Sequence, residues 1–138
     1  IFYASDGMRP DLMERYAADG ASLRVVASGV VTAEDTATTI AGLALCGSYS
    51  AADLSTGSLT ASSVYGSLDA AVAKIEDPAT KALLPAATAY ERIEGGNHQQ
   101  CGWYTGQPND PPATISREEQ QDRIVGAWVA LLGEIAAP

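Results

Sequence analysis

The chain contains a single histidine, His98, in the stretch IEGGNHQQCGWY (93–104). An imidazole near neutral pH can move a proton, ligate a metal or sit in a loop without a chemical task. Work as a base calls for a carboxylate that fixes the ring tautomer and stabilises the imidazolium. Asp69 closes the segment SSVYGSLD (62–69) and is the carboxylate in the right place. One expected helix and one expected strand separate the two residues. In a parallel sheet that spacing brings both to the carboxyl edge, on neighbouring strands. Asp69 is equally the residue type that N-caps a helix, and spacing does not choose between the two roles. A metal role for His98 is poorly supported, because the chain holds no second histidine, no CxxC and no HExxH. Gly95 and Gly96 fit either an ordinary turn or a close backbone approach to a site.

The elements that must position these residues follow from the apolar pattern. IFYAS (1–5) reads as a strand, Asp6-Gly7 as a turn, and Pro10 as the first turn of a helix over 11–20 with Leu12, Met13, Tyr16 and Ala17 at helical spacing. LRVVASGVV (23–31) and GLALCGSYS (42–50) read as buried strands, SSVYGSLD as a strand with a turn, and TAYERIEG (88–95) as an alternating strand. Residues 70–85 are helical, with a break before Pro78, and 96–115 form a long loop. The final helix opens on a capping box, Ser116 with Glu119, after which Ile124, Val125, Trp128, Leu131, Leu132 and Ile135 recur at helical spacing. Strands alternating with helices predict a single α/β domain over 1–138, with a mainly parallel sheet of about four or five strands.

Composition narrows the functions. A net charge of −9 and a pI near 4.3 repel phosphate backbones, which argues against nucleic acid as a partner. No apolar run is long enough for a membrane span. Cys46 and Cys101 read as two unrelated buried thiols, with one bridge between them as the alternative. The chain opens at Ile1, inside an expected strand, which predicts that residues upstream are missing.

From AGLALCGSYSAADLS through VYGSLD, ALLPAATAYERIEGGNHQQCGWY and PATISREEQQDRIVGAWVALL, residues 40–137 resemble the C-terminal half of an α/β-hydrolase of the dienelactone-hydrolase-like type. The resemblance implies that Asp69 is the triad acid and His98 the triad base, in the family's order of nucleophile, acid, histidine. It places cysteine at 46 and 101 where bulky apolar residues are expected. The family's GxSxG nucleophile motif does not occur. At the other end, IFYASDGMRPDLMERYAADGA (1–21) resembles the opening of type I phosphodiesterases and nucleotide pyrophosphatases of the alkaline-phosphatase superfamily. That resemblance implies a metal ligand at Asp6 and a hydroxyl nucleophile near Thr36, Thr38 or Thr39, where the family's Pro-Asn neighbourhood is missing. One histidine cannot complete the family's two-metal site. Together the two resemblances predict a truncated or chimeric chain.

The expected function is hydrolysis of an ester or related acyl bond in a small-molecule substrate, without a cofactor. Asp69 would orient His98. Ser5 is the candidate nucleophile, because the opening has the strand–turn–helix shape of a nucleophile elbow, although Tyr3 stands where an elbow needs a small residue. Asn97, Trp103 and Tyr104 would line the mouth of the pocket. The alternatives are a metal-dependent phosphodiesterase remnant using Asp6 and a folded domain without a catalytic role. A sheet lacking strands exposes an edge, which predicts a homo-oligomer or a partner that completes it.

Overall fold

A computed structural model of the protein describes residues 2–4, 25–27, 30–31, 41–56 and 59–136. Ser5, Asp6, the helix expected over 11–20 and the threonines at 36, 38 and 39 lie outside the described residues. In chain order the strands are β1 (Phe2–Ala4), β2 (Val25–Ala27), β3 (Val30–Val31), β4 (Gly42–Cys46), β5 (Tyr49–Ser50), β6 (Thr60–Gly66) and β7 (Ala89–Ile93). Three helices follow β6: α1 (Val72–Ile75), α2 (Pro78–Lys81) and α3 (Arg117–Ala136).

Five strands form one parallel sheet in the order β1-β2-β4-β6-β7. The order runs in one direction along the chain, so the carboxyl ends of β4, β6 and β7 stand side by side at one edge. The α/β class and the parallel sheet are as expected. Two of the expected strands divide, however. Within 42–50 the chain leaves the sheet at Gly47, whose φ of 56° is incompatible with an extended strand. Tyr49 and Ser50 then pair with Val30 and Val31 in a separate two-stranded sheet.

Alternation along β4 sends side chains to opposite faces. Leu43 and Leu45 pack with Leu54, Ala61 and Leu84 on one side. On the other, Cys46 joins Val64, Ile93 and Ile124, and Ala44 meets Leu131. That second face is covered by α3, which lies across β4, β6 and β7.

The start of α3 follows its sequence signal. The Glu119 N–H donates to Ser116 Oγ at 3.1 Å, and Glu118 and Glu119 occupy the first turn, where the helix dipole favours negative charge. Its inward face uses only part of the apolar set that recurs at helical spacing. Gln120, Ile124 and Leu131 are buried, whereas Val125 is 55% exposed. Steps of four and seven residues return to one face of a helix; Val125, one step past Ile124, is turned about 100° away. The break before Pro78 is present: Asp77 accepts from the Ala79 N–H at 2.8 Å and Pro78 opens α2. The long loop over 96–115 contains a short 3-10 turn at Gln99–Cys101.

Candidate active site

Three loops converge at the carboxyl edge, one from each of β4, β6 and β7. The loops after β6 and β7 are bonded to each other before either reaches its functional residue. Ser67 N–H donates to Ile93 O and Leu68 N–H to Gly96 O, both at 2.9 Å. The Gly95 N–H donates to Ser67 Oγ at 2.8 Å. A Cβ on Gly66 would stand 2.3 Å from the Gly96 carbonyl carbon, so only glycine lets these backbones meet.

This pairing delivers Asp69 and His98 to each other. His98 Nδ1 lies 3.2 Å from Asp69 Oδ1 and 3.1 Å from Oδ2. The Asp69 side chain is 0% exposed and that of His98 19%. A carboxylate only accepts, so Nδ1 donates, which in the neutral ring leaves Nε2 as the acceptor nitrogen. Asp69 Oδ1 also accepts from the Ala71 N–H at 2.7 Å, where the turn enters α1. The N-cap role is not taken: Ala71 caps α1 without a side-chain bond, and the Asp69 carboxylate orders the turn before α1 while it pairs with the imidazole.

Gly47, the first residue after β4, forms the floor beneath the pair. A Cβ there would stand 2.6 Å from Asp69 Oδ2, 2.8 Å from His98 Nδ1 and 3.2 Å from Cys101 Sγ. The two cysteines are free, buried and in the same cluster. They are not unrelated. A hydrogen bond to Cys101, then burial, then the electrostatic effects of Cys101 and Asp69 push the Cys46 thiol well above its ordinary range. A thiol held protonated in this way is a poor nucleophile.

The remaining expected site residues separate. Asn97 is fully buried. Its Nδ2 donates to Pro111 O at 2.8 Å, and its Oδ1 accepts from the Gln100 N–H at 3.2 Å. Its amide is spent folding the loop. Tyr104 stands edge-on to the imidazole, with ring centroids 6.5 Å apart, and its hydroxyl donates to His98 O at 3.4 Å. Burial, ahead of nearby acidic groups, pushes its phenol up to about 12. Trp103 is 78% exposed. It lines a mainly apolar cavity of about 260 Å³ with Cys101, Gln121, Ile124, Val125 and Trp128, beside α3 rather than over the imidazole. Arg117, at the start of α3, holds this aromatic loop. Its guanidinium donates to Gln99 O at 2.9 Å and Tyr104 O at 3.0 Å, also reaches Gly102 O, and lies over the Trp103 ring.

Two supporting residues carry no sequence signal of their own. Gln120 is fully buried; its Oε1 accepts from the Asn97 N–H at 3.0 Å and its Nε2 donates to Asn97 O at 2.8 Å. Asp110 accepts from the backbone of both functional loops. Gln120 lies one turn before the apolar set that begins at Ile124, and Asp110 lies between prolines, and neither pattern marks a bonding role. Among the described residues, no group of three or more His, Cys, Asp or Glu side chains is placed to hold a metal ion.

The sequence model of the alpha/beta hydrolase family matches residues 4–122. The match runs through most of the stretch compared above with phosphodiesterases, and that second resemblance gains no support from it. No curated protein and no solved structure matches the chain. A family match over most of the length, on a parallel sheet whose adjacent carboxyl-edge loops bear an aspartate and a histidine, means that this chain belongs to the alpha/beta hydrolase family.

Proposed function

We propose that Asp69 and His98 are the acid and base of a serine-hydrolase-type centre acting on an ester or related acyl bond of a small molecule, in the manner of dienelactone-hydrolase-like enzymes. The observation that carries the reading is the bond from His98 Nδ1 to the buried Asp69 carboxylate at 3.1 Å. It fixes the tautomer in which Nε2 accepts the proton of an attacking hydroxyl. The imidazolium so formed is stabilised by Asp69 and returns the proton to the leaving alcohol. The acyl group passes to the nucleophile and then to water. Ser5 is the nucleophile candidate within this chain. Trp103 and Tyr104 flank the histidine loop and are the candidate contacts to substrate.

A serine-reactive fluorophosphonate and a nitrophenyl ester test the reading together. Covalent labelling and ester hydrolysis are expected, both lost in His98→Ala, with Asp69→Asn lowering turnover by orders of magnitude through loss of the tautomer. A folded sample that neither labels nor hydrolyses ester sinks the proposal. Labelling that survives His98→Ala removes the histidine from it.

A further inference from the structure

We infer that Asp110 is a positioning residue that sets the geometry of the Asp69–His98 pair, an inference that takes the catalytic reading of that pair as its premise. Asp110 Oδ1 accepts from the Ala70 N–H at 3.2 Å and from the His98 N–H at 3.0 Å, and Oδ2 accepts from the Gln99 N–H at 3.0 Å. One carboxylate therefore holds the residue after the acid, the histidine itself and the residue after the histidine. A single oxygen joins the two loops, which come from different strands.

The local chain holds the carboxylate in place. The Asp110 N–H donates to Gln107 O at 3.4 Å, Asn109 turns the backbone with a φ of 60°, and Pro111 O accepts from Asn97 Nδ2 at 2.8 Å. Pro108, Pro111 and Pro112 restrict the remaining freedom of the segment. The bonds are also charge-assisted, and two of them lie at the start of the Gln99–Cys101 turn, whose leading N–H groups have no partner within the turn. Backbone clamping on both sides limits how far the contact between Asp69 and His98 can open. Small displacements of a general base lower a rate steeply.

The test uses the intact chain with Asp110→Ala and Asp110→Asn, read in two ways. On a nitrophenyl ester, Asp110→Ala is expected to lower kcat about ten- to a hundredfold while KM changes less than about threefold. Asp110→Asn, which keeps one acceptor oxygen, should fall between Asp110→Ala and the unaltered chain. The second reading needs no substrate. Because His98 is the only histidine, its ring nitrogens give unique NMR signals. The downfield Nδ1 proton held by Asp69 is expected in the unaltered chain, and it should exchange faster or vanish in Asp110→Ala. If Asp110→Ala does not fold, the same loss read in Asp110→Asn decides. Unchanged kcat together with an unchanged Nδ1 signal in a folded variant overturns the inference. If the unaltered chain shows no esterase activity, the functional reading fails, while the Nδ1 signal still decides whether Asp110 holds the pair.

Discussion

Gly47 has no side chain at a point where one would press on the Asp69 carboxylate and the imidazole at once. Its φ of 56° already disfavours any other residue, and an added Cβ would stand 2.6 Å from Asp69 Oδ2 and 2.8 Å from His98 Nδ1. Gly47→Ala is therefore expected to cost about 1–2 kcal/mol for the left-handed backbone, with a further cost as the pair is pushed apart. Urea denaturation gives the first part, and loss of the His98 Nδ1 proton signal reports the second. A variant with the stability and imidazole spectrum of the unaltered chain would show that the floor is looser than described. At this scale Asp69 and His98 were legible in the sequence, since chain order and parallel pairing place them together before any contact is known. Gly47 and Asp110 were not. One acts by leaving space and the other by bonding backbone amides, and neither action leaves a residue-type pattern.

Elements fix the site by holding loops to one another. One link between α3 and the histidine loop is Gln120, which satisfies both the N–H and the C=O of buried Asn97. Gln120→Leu would fill the same space and leave two buried backbone groups unpaired, at about 1–3 kcal/mol for each. The contrast with Ser116→Ala is informative. Loss of that exposed cap should cost only about 1 kcal/mol, through the helix alone. Denaturant midpoints for the two variants rank the contributions; equal losses would mean that α3 is held by its apolar contacts and not by Gln120. The position of α3 was readable from its capping signal and from Ile124 and Leu131 at helical spacing. The burial of Gln120 and the exposure of Val125 were not, because the apolar stripe marks a face without saying where the loop at its end needs a hydrogen-bonding partner. The β4 strand shows the same limit. The strand expected over 42–50 extends past Cys46, but the backbone turns at Gly47, and composition alone cannot register a sign of φ.

Across the whole molecule, burial of phenols and a thiol in an acidic chain sets the response to alkali. Burial is the leading cause raising Tyr65, Tyr90 and Tyr104, the last pushed up to about 12, and the Cys46 thiol is raised as well. Each group binds its proton more tightly in the folded chain than in the unfolded one. Its contribution to stability is complete below the unfolded value and is lost as pH climbs through the folded value. For Tyr104 that window runs from its ordinary value of 10.0 to about 12. The net charge of −9 adds a second destabilising effect, because every further deprotonation increases self-repulsion. Salt separates the two. At about 1 M NaCl the screening length falls to about 3 Å, which removes most of the repulsion and leaves the cost of charging a buried group. Urea midpoints are thus expected to fall above pH 10 even in high salt, and Tyr104→Phe should flatten that fall between pH 10 and about 12. If Tyr104→Phe and the unaltered chain follow the same curve in high salt, the phenol against the His98 backbone has no part in the alkaline limit, and net repulsion or the Cys46 thiol must account for it.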